Sequence, residues 1–152
     1  MTDNTASAQP AQLPATGGVR LSFDDGPDAR WTPLILDLLA QAQARATFFV
    51  IGCLAVQHQA LLRRIAAGGH ALGNHSWSHR HPWTLLPASA RREVRDGAAA
   101  IADITGEPPL FFRPPHGRLR RCMQDEAERG GQTLVLWNRS AIDWGPLGQA
   151  SG

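Results

Sequence analysis

Three short clusters carry the side chains of this 152-residue chain best suited to acid–base or metal chemistry: Asp24-Asp25, His75-Ser-Trp-Ser-His79 and Arg113-Pro-Pro-His116-Gly117. A His-x-x-x-His spacing sets two imidazoles on one side of a helical turn, within reach of one cation. A carboxylate added to them completes a facial set that leaves positions open for water and substrate. Adjacent carboxylates at a strand end point apart, so Asp24 and Asp25 can divide the labour: one binds metal, the other takes a proton from water. Each cluster also has an ordinary reading. Asp-Asp-Gly-Pro is a turn cap, and two histidines four apart are commonly unremarkable. Arg113, following apolar Leu-Phe-Phe, needs a carboxylate partner, either as a plain ion pair or as a group orienting a catalytic Asp. Ser76 and Ser78 brace the His-rich loop by hydrogen bonding to backbone, and His81 before Pro82 reads as a surface residue. Trp144, beside Asp143, fits either a core or the wall of a sugar groove.

Such residues must be carried to one place by the elements between them. Val19–Phe23 is a short β-type run that stops at the Asp24–Pro27 turn signal. Trp31–Gln43 has helical spacing in Leu34, Ile35, Leu38 and Leu39, with Thr32-Pro33 as cap and first turn. Ala46–Gly52 lacks polar alternation, as a strand buried on both faces does. Leu54–Ala67 reads as a helix closed by Gly68-Gly69. His70–Gly73 is a third strand leading to a loop at 74–81, Pro87–Thr105 a long helix, and Leu110–Phe112 a fourth strand. Cys122–Arg129 is helical, and Gln132–Trp137 a fifth strand. Alternating strands and helices predict an α/β fold with a parallel sheet. Every polar cluster follows a strand, so the loops converge at the carboxyl rim, where such folds place their sites.

Composition sets the outer bounds. The chain suits one domain, read as 18–152 after a polar disordered tail at 1–17. The net charge of +2 comes from 15 basic residues, all Arg, against 13 acidic ones, too small an excess for a nucleic-acid binder. No apolar run approaches the roughly 18–20 residues that span a bilayer. Cys53 and Cys122 form no CxxC pair, which argues against a thiolate zinc site and a disulfide scaffold. The first residues lack a basic start and an apolar segment, which reads as cytoplasmic, with export the alternative if translation begins upstream.

Together, Leu21-Ser-Phe-Asp24-Asp25-Gly-Pro27, His75-Ser-Trp-Ser-His79, Arg113-Pro-Pro-His-Gly117 and Asp143-Trp144, in this order, resemble the polysaccharide deacetylase family, the NodB-homology domain of carbohydrate esterase family four. The resemblance covers roughly residues 19–144. It implies a deformed (β/α) barrel, here about five parallel strands with helices outside. It further implies a divalent metal, most commonly zinc with cobalt or nickel as substitutes, and hydrolysis of N- or O-acetyl groups on an acetylated glycan. Carried over by motif position, Asp24 is the general base, and Asp25, His75 and His79 hold the metal. Arg113 orients Asp24, the backbone N–H at His116 stabilises the oxyanion, and Asp143 supports Arg113. Pro114 and Trp144 line the substrate groove.

The sequence departs from that pattern in ways with stated consequences. His116 stands where the family often has Tyr, a mild change if the backbone N–H is what acts. Ser140 stands where an Asp usually opens the fourth motif. No His follows His116 to serve as general acid on the leaving amine, so the expectation is a C-terminally truncated, incomplete barrel with two unpaired edges. A second chain completing the barrel, His116 as replacement acid, and an impaired chain that still binds metal and sugar are the alternatives this leaves.

Overall fold

The computed structural model describes residues 19–141. Five strands form one sheet in the order of the chain, β1 (Leu21–Gly26), β2 (Ala46–Val50), β3 (Ala71–Asn74), β4 (Phe111–Phe112) and β5 (Thr133–Leu134). All four neighbouring pairs are parallel. The helices between them are α1 (Trp31–Gln41), α2 (Gly52–Gln57), α3 (Gln59–Ala67), α4 (Pro87–Thr105) and α5 (Arg121–Arg129). This is the predicted α/β architecture, and among the described residues the sheet does not close. Among these residues, no helix is long and apolar enough to cross a membrane.

The alternation of β2 explains how the sheet serves two purposes. Phe48 and Val50 join Leu36, Leu39, Leu62, Ile65 and Ile101 in the core beneath the helices. Phe49 points to the other face and is 1% exposed, with the Arg113 guanidinium carbon 3.8 Å from its ring centroid. A second apolar cluster, from Leu85, Ala90, Val94, Phe112, Met123 and Ala127, fixes β4 against α4 and α5. Helix α4 therefore contributes to both cores, and it lies behind the loop that follows β3.

Several boundaries differ from the sequence reading for identifiable reasons. β1 runs on through Asp24 and Asp25 rather than ending at Phe23, because its pairing with β2 shifts register between Phe23 and Gly26. Helix α1 is not capped by Thr32. Asp28 Oδ1 accepts from the N–H groups of Arg30 (2.8 Å) and Trp31 (2.7 Å), and the Asp28 N–H donates back to Thr32 Oγ1 at 2.8 Å. This reciprocal pair turns Thr32, Leu36 and Leu39 inward and leaves Leu34 and Leu38 exposed. The predicted helix 54–67 is broken at His58, whose φ of −122° and ψ of 46° lie outside the helical range. β5 is shorter than predicted, two residues only. The expected tail at 1–17 lies outside the described residues.

Candidate active site

The rim where β1, β3 and β4 end brings Asp24, Asp25, His75, His79 and Arg113 together. Asp25 Oδ1 lies 3.3 Å from His75 Nε2 and 3.0 Å from His79 Nε2. Donors about 2.0–2.2 Å from a shared tetrahedral cation sit roughly 3.3–3.5 Å apart, close to these separations. The three residues form a group able to offer one ligand atom each to a single ion. His75 is buried, 2% exposed, whereas Asp25 is open at 64%. The site thus has a rigid back wall and an accessible front.

The His75 ring has a defined hydrogen-bond role. Its Nδ1 lies 2.7 Å from the Arg113 carbonyl oxygen. A carbonyl only accepts, so Nδ1 donates to it and Nε2 is the nitrogen turned toward the Asp25 carboxylate. Between that nitrogen and the anionic oxygen, a proton on Nε2 or a metal ion supplies the positive centre. The same contacts with His75 and His79 hold the Asp25 carboxyl far below the usual carboxylate range, against a smaller opposing effect of burial. The donor set therefore fits a divalent cation.

The loop carrying the two histidines is not the helical turn that the His-x-x-x-His spacing suggested. Ser76 (φ 70°) and His79 (φ 57°) adopt left-handed backbone, as do Asp25 (φ 68°) and His116 (φ 57°). Strain of this kind, about 1–3 kcal/mol per residue, persists only where the surroundings over-determine it. Here they do. Ser76 N–H donates to Asn74 Oδ1 at 3.0 Å, and Asn74 Nδ2 is held by Val94 O and Gln132 Oε1. His79 N–H donates to Ser76 Oγ at 3.1 Å. Glu93, buried on α4, accepts from the Ser78 N–H (2.7 Å) and Ser78 Oγ (2.6 Å). Gly97 lets this loop approach the helix: a Cβ there would fall 2.8 Å from the Ser76 carbonyl carbon.

Asp24 points away from the histidines to Arg113, as alternation along the strand predicts. Arg113 NH1 donates to Asp24 Oδ1 at 2.6 Å and to Ser22 Oγ at 2.8 Å. Its Nε donates to the Val135 carbonyl at 3.3 Å, and Phe49 and Trp137 lie on its guanidinium. Arg113 is 4% exposed and Asp24 28%, so the carboxylate is anchored at one oxygen and open to the rim. Pro114, which follows Arg113, is buried. His116 projects beside His79, with ring centroids 4.6 Å apart. Partial burial first, then the nearby imidazoles of His79 and His81, lower its pKa below the ordinary histidine value.

Glu93, Trp137 and Ser22 escaped the sequence reading. Glu93 and Trp137 act across long chain separations that no local pattern reports. Ser22, two positions before Asp24 and on the same strand face, was the one legible neighbour. Asp143 and Trp144 lie outside the described residues.

Residues 14–135 match the family model described as polysaccharide deacetylase. A peptidoglycan-N-acetylglucosamine deacetylase of Bacillus cereus is 35% identical over 126 residues, 83% of this chain and 46% of that protein. A chitooligosaccharide deacetylase of Bradyrhizobium is 35% identical over 130 residues, 85% of this chain and 59% of that protein. Among solved structures, the family 4 carbohydrate esterase from Streptomyces lividans in complex with acetate superposes with a TM-score of 0.76 at 36% identity, covering 81% of this chain and 64% of that one. The chain spans about half the length of the curated relatives it matches.

Proposed function

The chain belongs to the polysaccharide deacetylase family, and from that membership we propose that it is a metal-dependent hydrolase removing N- or O-acetyl groups from a glycan. The observation that carries this reading is the clustering of Asp25, His75 and His79 within reach of a single ion, with Asp25 Oδ1 3.3 Å and 3.0 Å from the two Nε2 atoms. Asp25, His75 and His79 are the residues that would hold it, with zinc as the metal proposed. When bound, a divalent cation polarises the acetyl carbonyl and makes water easier to deprotonate.

The remaining roles fall to the chain's own groups. Asp24, kept out of the ligand set by Arg113, takes the proton from the attacking water. Arg113 holds and aims it through the 2.6 Å contact. The His116 N–H donates to the oxyanion as negative charge develops. Asp143 and Trp144, in the same reading, support Arg113 and line the groove of a domain spanning 18–152. The named substrates of the relatives, peptidoglycan and chitooligosaccharides, set the glycans to try first.

The test is acetate release from an acetylated chitooligosaccharide with added zinc, with chelator, and with Asp24→Asn. Release that depends on zinc and disappears in Asp24→Asn supports the reading. Release unchanged by the substitution removes Asp24 from the role of base. Zinc binding by calorimetry without any release would leave a metal-binding chain that is not a catalyst.

A further inference from the structure

A groove reached from this rim along a row of histidines is not used by the acetyl chemistry. The rings of His79, His116 and His81 form a short ladder, with centroids 4.6 Å apart in the first step and 5.2 Å in the second. His81 leads into the 3₁₀ turn Pro82–Thr84 and accepts from the Trp83 N–H at 3.4 Å. On the other strand of the ladder, the chain runs from His116 through Leu119 to Arg120 and Arg121. Trp83, Arg91, Leu119, Arg120, Arg121 and Asp125 line an open groove of about 520 Å³.

The charges in this groove are not balanced. Asp125 accepts from Arg121 Nε at 2.8 Å, so these two offset each other. Arg120 donates through NH1 to the carbonyls of Pro82 and Leu85. Those bonds fix the side chain but neutralise no charge. Its guanidinium carbon lies 5.8 Å from the Trp83 ring centroid. Arg91 lines the groove as well and makes no ion pair among the described residues. Trp83, 63% exposed, lines the same groove as both cations. The groove thus presents two uncompensated guanidinium groups and a flat apolar platform.

We infer that this groove is a subsite for a carboxylate-bearing sugar ring of the glycan chain, with Trp83 stacking on the ring and Arg91 and Arg120 holding the carboxylate. Guanidinium forks match a planar carboxylate in a two-pronged contact, and sugar rings present an apolar face to aromatic planes. The consequence is selectivity for acidic over neutral acetylated glycans. The inference rests on the deacetylase reading for what the neighbouring site does, but the binding itself does not require turnover.

The full chain is titrated by calorimetry with two tetrasaccharides, one of N-acetylglucosamine alone and one alternating with N-acetylmuramic acid, whose lactyl group bears a carboxylate. A phosphorylated N-acetylglucosamine oligomer forms a third arm. The carboxylated chain is expected to bind about tenfold tighter than the neutral one at low salt, with the advantage shrinking as salt rises. Arg91→Gln reduces that advantage, and Trp83→Ala weakens the binding of both chains. Asp125→Asn frees Arg121 and increases the advantage, a gain that misfolding cannot imitate. Equal affinity for the carboxylated and neutral chains, or tighter binding of the phosphorylated one than the carboxylated one, overturns the assignment. So does an Arg91→Gln that weakens both chains alike. Preferential acidic binding without acetate release counts against the deacetylase reading alone, and acetate release without acidic preference counts against the subsite alone.

Discussion

Arg113 grips His75 and Asp24 with different parts of itself. Its carbonyl oxygen lies 2.7 Å from His75 Nδ1, and its guanidinium lies 2.6 Å from Asp24 Oδ1. One residue at the end of β4 therefore orients a metal-ligand candidate through the backbone and a base candidate through the side chain. The two duties are separable, because substitution removes only the second.

Arg113→Lys tests that separation. The carbonyl stays, so zinc affinity measured by calorimetry is expected to change less than about threefold, well inside the effect of losing a supporting hydrogen bond. The lysine cannot reproduce the fork that reaches Asp24, Ser22 and the Val135 carbonyl, so kcat is expected to fall about 100-fold. The loss of charge-assisted hydrogen bonds costs about 1.5–3 kcal/mol of stability in a denaturant titration. A variant that loses zinc as severely as activity would show that the backbone contact does not act alone.

Zinc is expected to raise the melting temperature, because an ion bound only by the folded chain stabilises it by about 2.7 kcal/mol at one hundred times its dissociation constant. Chelator should reverse the rise. His75→Ala should abolish it, since the buried ring supplies a fixed nitrogen. An identical zinc shift in His75→Ala would mean that the ion binds elsewhere.

Much of this arrangement was readable from local pattern. The run at Ala46–Gly52, without polar alternation, marked a strand buried on both faces, and each reactive cluster sat just past a strand, so convergence at one rim followed from topology. The demand of Arg113 for a carboxylate also followed from its apolar neighbours. What remained hidden depends on tertiary placement. The register shift that carries β1 through Asp24 and Asp25 is set by pairing with β2, and the left-handed backbone at Ser76 and His79 overrides the helical inference from spacing. The inward face of α1 was set by the Asp28–Thr32 exchange more than by leucine spacing. Glu93 lies on a helix 15 positions from the serine it holds, and its own neighbours in sequence gave no sign of that task.

Glu93→Gln addresses that hidden support. The carboxylate accepts from both the Ser78 N–H and Ser78 Oγ, and a neutral amide replaces one of its oxygens with a donor. The His79 loop then loses an anionic anchor while helix α4 keeps its length. Zinc affinity is expected to fall about 10-fold to 100-fold, the usual effect of removing an outer contact around a ligand, with far-ultraviolet circular dichroism unchanged. Full zinc affinity in the variant would reduce Glu93 to a packing residue.

His70 gives a pH dependence remote from the site. Its Nδ1 accepts from the Ala46 N–H at 3.3 Å where β2 begins, and its ring stands edge-on to Phe48. Burial, followed by the charge of Arg45, lowers its pKa below the ordinary value of 6.5. The unfolded chain thus binds the proton more readily than the folded one. This contribution to stability is complete above about pH 6.5 and is lost as pH falls through that value toward the lower folded pKa. His70→Asn keeps an acceptor for Ala46 but cannot titrate. The drop in melting temperature between pH 7.5 and pH 5 should therefore be smaller in His70→Asn than in the parent chain. An equal drop in both would assign the acid sensitivity to other groups and leave His70 as a hydrogen-bond acceptor only.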